Sequence, residues 1–248
     1  MFPIRDHNPS EKTPVVVFAL IAINVAVFLY DFLLVPDGMP QGQFYYDYAL
    51  VPALVSNGEG LTGLLTHMFL HGGPLHLAGN MLFLWVFGDN LEEEMGHVGF
   101  IVFYLLAGFG AAFFQYIAEP FSQIPMVGAS GAIAGVMGGY LLMFPKARVD
   151  VLIWIIFFIR IIPIPAWIML MIWFALQIGG GLGTPLDGGG VAYWAHAGGF
   201  VAGLAMVVPL WLRRGGPRYW DAVNGHPPHP EARYRFESSR VPTVRRRR

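Results

Sequence analysis

What most restricts this 248-residue chain is a recurring pattern: mostly apolar stretches set apart by proline, glycine or charge. The first, Val15 to Val35, carries only Asn24 and Asp31 as polar interruptions and is long enough to cross a hydrocarbon layer about 30 Å thick. Leu75 through Phe87 continues to an acidic cluster at Glu92 to Glu94, and Val98 to Ile117 ends at Glu119-Pro120. Ala129 to Phe144 stops at Pro145, Pro165 to Ile178 precedes a glycine-rich loop, and Trp194 to Leu212 runs into a basic tail. With 55% hydrophobic and 12% charged residues and a mean hydropathy of +0.54, the composition lies outside the soluble range. The expected fold class is an all-α polytopic membrane protein with six transmembrane helices.

Charge gives the expected orientation. Ten of the fifteen Lys and Arg fall between Arg213 and Arg248, and the segments joined to that end hold Arg5, Lys12, Lys146 and Arg148, whereas the three opposite loops hold none. The positive-inside rule then places both termini in the cytoplasm of a multi-pass protein of the cell membrane. Three regions follow: a cytoplasmic segment 1–14, a membrane domain 15–212, and a basic, disordered tail 213–248 that meets lipid headgroups rather than nucleic acid. The first apolar run is too long for the core of a cleaved signal and is expected to stay as an anchor. Residues 149–164 are ambiguous, either leaning along the interface or extending helix five with a kink, and Arg160 within them has no clear place. The chain has no cysteine, so thiolate chemistry is excluded.

Orientation converts spacing into depth. Helices two, four and six run the same way. His76 precedes Glu92 by 16 residues, Ser130 precedes Lys146 by 16, and His196 precedes Arg213 by 17. At about 1.5 Å per residue all three sit at a similar depth, just below the outer surface, with Asn80 one turn below His76 on the same face. Gly131 and Gly135 on helix four, and Gly199 and Gly203 on helix six, form small-xxx-small ridges that let backbones approach closely. A hydroxyl and an imidazole at matching depth suggest a nucleophile and its base. The helix-four N-terminus offers unpaired N–H groups and a positive dipole end where an oxyanion would form.

Gly128-Ala129-Ser130-Gly131, Ala195-His196-Ala197-Gly198-Gly199 with Gly203, and His76-Leu77-Ala78-Gly79-Asn80, together with Gly88, Glu92 and Gly96, resemble the rhomboid family of intramembrane serine proteases. The resemblance spans roughly residues 15 to 212 and implies a six-helix rhomboid-like bundle. It implies Ser130 as nucleophile, His196 as general base and acid, and His76, Asn80 and the Ser130 N–H as the oxyanion site. Substrates would be single-span membrane proteins, cut in or near their transmembrane helices without any cofactor. The chain departs from some members in having Ala134 where a tyrosine stacks under the histidine, and in lacking a Trp-Arg pair in the first loop. Orientation of His196 must then come from elsewhere, with Tyr193, Trp194 and Tyr140 as candidates.

The same residues admit other readings. His67, His71 and His76 have zinc-like spacing, but no His-Glu-x-x-His motif supplies a base, so no metal site is expected. The acidic cluster reads most simply as a solvated turn. A rhomboid-like binder of client helices without catalysis, or a small transporter lined by the same polar groups, are the readings from other classes.

Overall fold

The computed structural model describes residues 2–34, 41–155, 158–184 and 190–232. Helix α1 (Val15–Leu34) is followed by three short helices, α2 (Gln41–Tyr48), α3 (Pro52–Ser56) and α4 (Gly63–Thr66), and a 3-10 turn at His67–Phe69. Then come α5 (Pro74–Ala118), α6 (Ser130–Met143), α7 (Ala166–Gly183), α8 (Tyr193–Arg213) and α9 (Pro217–Val223). The described residues also hold three strands: β1 (Phe2–Asp6), β2 (Arg148–Ile155) and β3 (Phe158–Pro165). Among the described residues, α5, α7 and α8 are long and apolar enough to cross a membrane, and α1 and α6 contribute shorter apolar helices. Leu75, Val98 and Leu176 are 88%, 77% and 62% exposed on the bundle's flanks. Apolar surface of that extent requires lipid around it.

The 45 residues of α5 are two arms rather than one rod. At Gly96 the backbone has φ 69° and ψ 164°, a conformation closed to residues with a side chain, and the chain changes direction there. Pro74 opens the first arm at a position where its missing N–H costs nothing.

Helix α6 is the centre of the bundle. Every residue from Gly131 to Tyr140 is buried, against both arms of α5 on one side and α8 on the other. Glycine makes this possible. A Cβ on Gly199 would overlap the carbonyl of Gly131, one on Gly203 would overlap that of Gly135, and one on Gly138 would overlap that of Phe200. The α6 and α8 backbones therefore touch directly, while Gly131 and Gly135 also accept the methyl groups of Ala111 and Ala107 from α5.

The end of the bundle away from the N-terminus of α6 differs from the sequence expectation in three ways. First, the fold is not purely helical: in the run that the sequence leaves ambiguous, β2 and β3 pair antiparallel, and β1 pairs antiparallel with β2 to give the order β1-β2-β3. The run is rich in β-branched residues, which favour a pleated surface over a helix, and Pro163 and Pro165 lie on the edge strand β3 where their missing N–H is tolerated. Arg160 is an exposed residue of that strand, opposite Ile153. Second, the acidic cluster is not a solvated turn. Glu92 is 2% exposed, and its two carboxylate oxygens accept the Val16 and Val17 N–H groups, each at 2.8 Å, so it caps α1 from another helix. Third, the start of the C-terminal tail is folded: Trp220 Nε1 donates to the Leu142 carbonyl at 2.8 Å, and His229 pairs with Glu93 at 2.9 Å. Two aromatic residues in a basic stretch supply the apolar surface that anchors it. Residues 233–248 lie outside the described residues.

Asp6 secures the sheet to the bundle. Its Oδ2 accepts Asn90 Nδ2 at 2.6 Å and the Tyr140 hydroxyl at 3.1 Å, while Arg5 and His7 both pair with Asp150 at 2.7 Å. Burial, and then the neighbouring Asp89 carboxylate, push the Asp6 carboxyl above the usual carboxylate range.

The glycine contact makes a prediction. Gly203→Ala overpacks the α6–α8 interface and should lower the thermal midpoint by about 2–10 °C, corresponding to about 1–3 kcal/mol. Gly179→Ala, where an added Cβ meets open space, should leave the midpoint within about 2 °C.

Candidate active site

Ser130 opens α6, immediately after a loop whose geometry is fixed from outside. Met126 exchanges two backbone hydrogen bonds with Leu50, at 2.8 and 3.1 Å, and the Gly128 N–H donates to the His67 carbonyl at 2.9 Å. His67 is held in turn by an Nδ1–H donated to the Gly63 carbonyl at 2.7 Å. Gly128 has φ 129°, and a Cβ there would lie 2.9 Å from the His76 ring. Only glycine combines that backbone with that proximity.

His196 lies one turn into α8. Because α6 and α8 are in backbone contact, its side chain reaches across the interface, and Nε2 is 2.7 Å from Ser130 Oγ. Both residues are half-buried. The Ala195 N–H just before it donates to Gln115 Oε1 of α5 at 3.1 Å, which fixes the start of α8 against the second arm.

The other imidazole nitrogen has a partner that the sequence reading missed. Nδ1 lies 2.8 Å from Gln177 Oε1 on α7, and the Trp173 ring, one turn earlier, sits 5.9 Å from the imidazole centroid at 34°. Orientation of His196 thus comes from α7 and not from Tyr193, Trp194 or Tyr140; Tyr140 points to the opposite end, to Asp6. Ala134, without a ring to offer, is fully buried in the core. The missed signal was a lone glutamine in an otherwise apolar span, which is costly unless it is used.

His76 and Asn80 occupy the first arm of α5 and border the same cavity as Ser130 and His196. Asn80 is 8% exposed and its Nδ2 is 2.9 Å from His71 Nε2. Burial, followed by the adjacent His76 ring, holds His71 down to about 4, so it is neutral and can accept that bond. One Asn80 amide hydrogen is used there and the other is free for the cavity. His71, weighed in the sequence only as a metal ligand, serves to fix Asn80, and His67 fixes the Gly128 loop. Among the described residues there is no cluster of His, Asp and Glu able to hold a metal ion.

The cavity has a volume of about 400 Å³ and is walled by Gln115, Glu119, Met126, Tyr193 and Trp194 besides the four residues above. It combines a hydrogen-bonded hydroxyl and imidazole with side-chain donors opposite them.

Residues 58–213 match the family model described as the rhomboid domain. The chain belongs to the rhomboid family. It is 33% identical over 163 residues to RHOMBOID-like protein 4 of Arabidopsis thaliana, covering 66% of this chain and 37% of that one. Its identity to the mitochondrial Rhomboid protein 1 of Saccharomyces cerevisiae is 29% over 194 residues, 76% of this chain and 51% of the yeast protein. With the Rhomboid protease GluP of Bacillus subtilis it shares 39% over 89 residues, 36% of this chain and 17% of that protein. The chain thus spans about half or less of the length of the curated rhomboid relatives it matches. The matched domain contains Ser130, His196, His76 and Asn80 and all four packing glycines, and leaves α1 and β1 outside it.

In this rhomboid chain the positive φ and tight clearance at Gly128 predict a specific failure. Gly128→Ala should strain the loop by about 1–3 kcal/mol and displace the His76 ring. The rate of Ser130 modification by a fluorophosphonate should fall at least about tenfold, a barrier change of about 1.4 kcal/mol.

Proposed function

We propose that this chain is an intramembrane serine endopeptidase that cleaves transmembrane segments of single-span membrane proteins through Ser130 and His196. The observation that carries the reading is the 2.7 Å contact between Ser130 Oγ and His196 Nε2 at the edge of a cavity that several polar side chains share, within a bundle surrounded by lipid. The family and the protease name of the Bacillus relative support the same reading. The two arms of α5 with α1, α6, α7 and α8 make six spans, within a membrane domain from 15 to 212. The charge asymmetry puts both termini in the cytoplasm and the cavity toward the outer face.

In the reaction, His196 Nε2 accepts the Ser130 hydroxyl proton as Oγ attacks the scissile carbonyl carbon. The carbonyl oxygen becomes an oxyanion. The Ser130 N–H at the helix start, the free Asn80 amide hydrogen and the His76 ring are the donors available to it. As the C–N bond breaks, the imidazolium returns its proton to the leaving amine, giving an acyl-enzyme on Oγ. A water activated by the same imidazole then hydrolyses that ester and restores the hydroxyl. Glu119, Gln115, Asn80 and His76 give the cavity the polar lining that such a water needs. No cofactor enters the scheme, and lipid is the only other partner it requires.

The test uses purified protein in liposomes with a single-span substrate. Ser130→Ala and His196→Ala should each lower cleavage by about 10⁴-fold or more while the thermal midpoint stays within a few degrees. Asn80→Ala should cost about 10²-fold or more, chiefly in kcat. Cleavage by Ser130→Ala at the wild-type rate would reject the assignment, and substrate association that neither change affects would favour a binder of client helices.

A further inference from the structure

The geometry points to Gln177 as the positioning residue of the reaction, an uncharged amide on α7 that fixes the tautomer and plane of the His196 imidazole. The inference rests on the protease reading above. To act as a base toward Ser130, His196 must present a lone pair at Nε2, so its proton must reside on Nδ1. Gln177 Oε1 at 2.8 Å accepts that proton's hydrogen bond. The amide itself could face either way, but Gln177 Nε2 donates to the Trp173 carbonyl at 3.2 Å, one turn back on the same helix. That second bond selects the orientation. A flipped amide would present N–H to Nδ1 and push the imidazole proton to Nε2, where it would be donated to Ser130 Oγ and leave no lone pair to take the hydroxyl proton.

Trp173 closes the arrangement from the side. Its ring lies beside the imidazole at 5.9 Å and against Phe200 at 6.0 Å, so the imidazole plane is held by α7 as well as its Nδ1 proton. Gln177 is one of only four residues described as buried on α7, with Ala166, Met169 and Leu170, and the only polar one. It therefore joins a largely lipid-facing helix to the reacting centre. Using an amide rather than a carboxylate avoids placing an additional charge in an apolar bundle, at the cost of weaker stabilisation of the imidazolium.

The experiment measures cleavage of a single-span substrate in liposomes as a function of pH for the wild type, Gln177→Leu, Gln177→Glu and Gly179→Ala. The ionisable groups sharing the cavity with His196 are His76 from α5, Glu119 just after its C-terminus and Tyr193 from α8; among the described residues that wall it, those of α6 and α7 contribute none. Gln177→Leu removes the acceptor and should lower kcat by about 10- to 100-fold with KM within about twofold and an unchanged thermal midpoint. Gln177→Glu should restore much of kcat and, by stabilising the imidazolium, move the acidic limb of the profile up by about one pH unit or more. Gly179→Ala on the same helix should match the wild type. A Gln177→Leu enzyme with wild-type kcat, or a Gln177→Glu profile coincident with the wild type, overturns the inference. A wild type that fails to cleave, or cleavage that survives Ser130→Ala, overturns instead the protease reading on which it rests.

Discussion

Direct contact between the α6 and α8 backbones is the constraint on which the rest of this structure depends. Side chains of ordinary size hold helices about 8–10 Å apart. Gly131, Gly135, Gly199 and Gly203 remove that spacing, and the carbonyls of Gly131 and Gly135 occupy the space where the side chains of the α8 glycines would be. A serine and a histidine on those helices can then form a hydrogen bond at 2.7 Å. In lipid there is no hydrophobic force pressing helices together, so close packing of small residues must hold the contact.

Around that contact several polar groups of the bundle are paired. Gln115 takes the Ala195 N–H, Gln177 takes the imidazole, and Asn80 is turned by His71. Each bond also places an element: Gln115 ties α8 to α5, and Gln177 ties α7 to α8. The loop carrying Leu50 and His67 performs the same service for the backbone just ahead of Ser130. At the opposite end Glu92 caps α1 and Asp6 draws the N-terminal strand onto Asn90 and Tyr140. Polar residues in an apolar bundle thus act as joints, and only some of them face the cavity.

The features legible in the sequence are those set by regular spacing along one helix. Apolar length gave the membrane helices, and residue counts from their charged ends gave Ser130, His196 and His76 a common depth. The four-residue glycine rhythm pointed to the face on which α6 and α8 meet. What the sequence hid depends on partners distant along the chain. Strands β2 and β3 pair with each other, but β1 joins them from about 145 positions away, and the prolines read as helix interruptions until an edge position makes them harmless. Glu92 read as solvated because nothing local reveals that the N-terminus of α1 docks on it. Gln177 was hidden differently: its isolation in an apolar span was visible, but its target was on another helix.

The most direct test of the central claim is chemical. A chloroisocoumarin that acylates a serine and then alkylates a histidine within reach joins the two residues through one small molecule. In lipid bilayers, digestion and mass spectrometry should find the peptide containing Ser130 linked by a single inhibitor to the peptide containing His196, and this link should vanish in His196→Ala. An unmodified Ser130, or a bridge from it to a different histidine, would contradict the account.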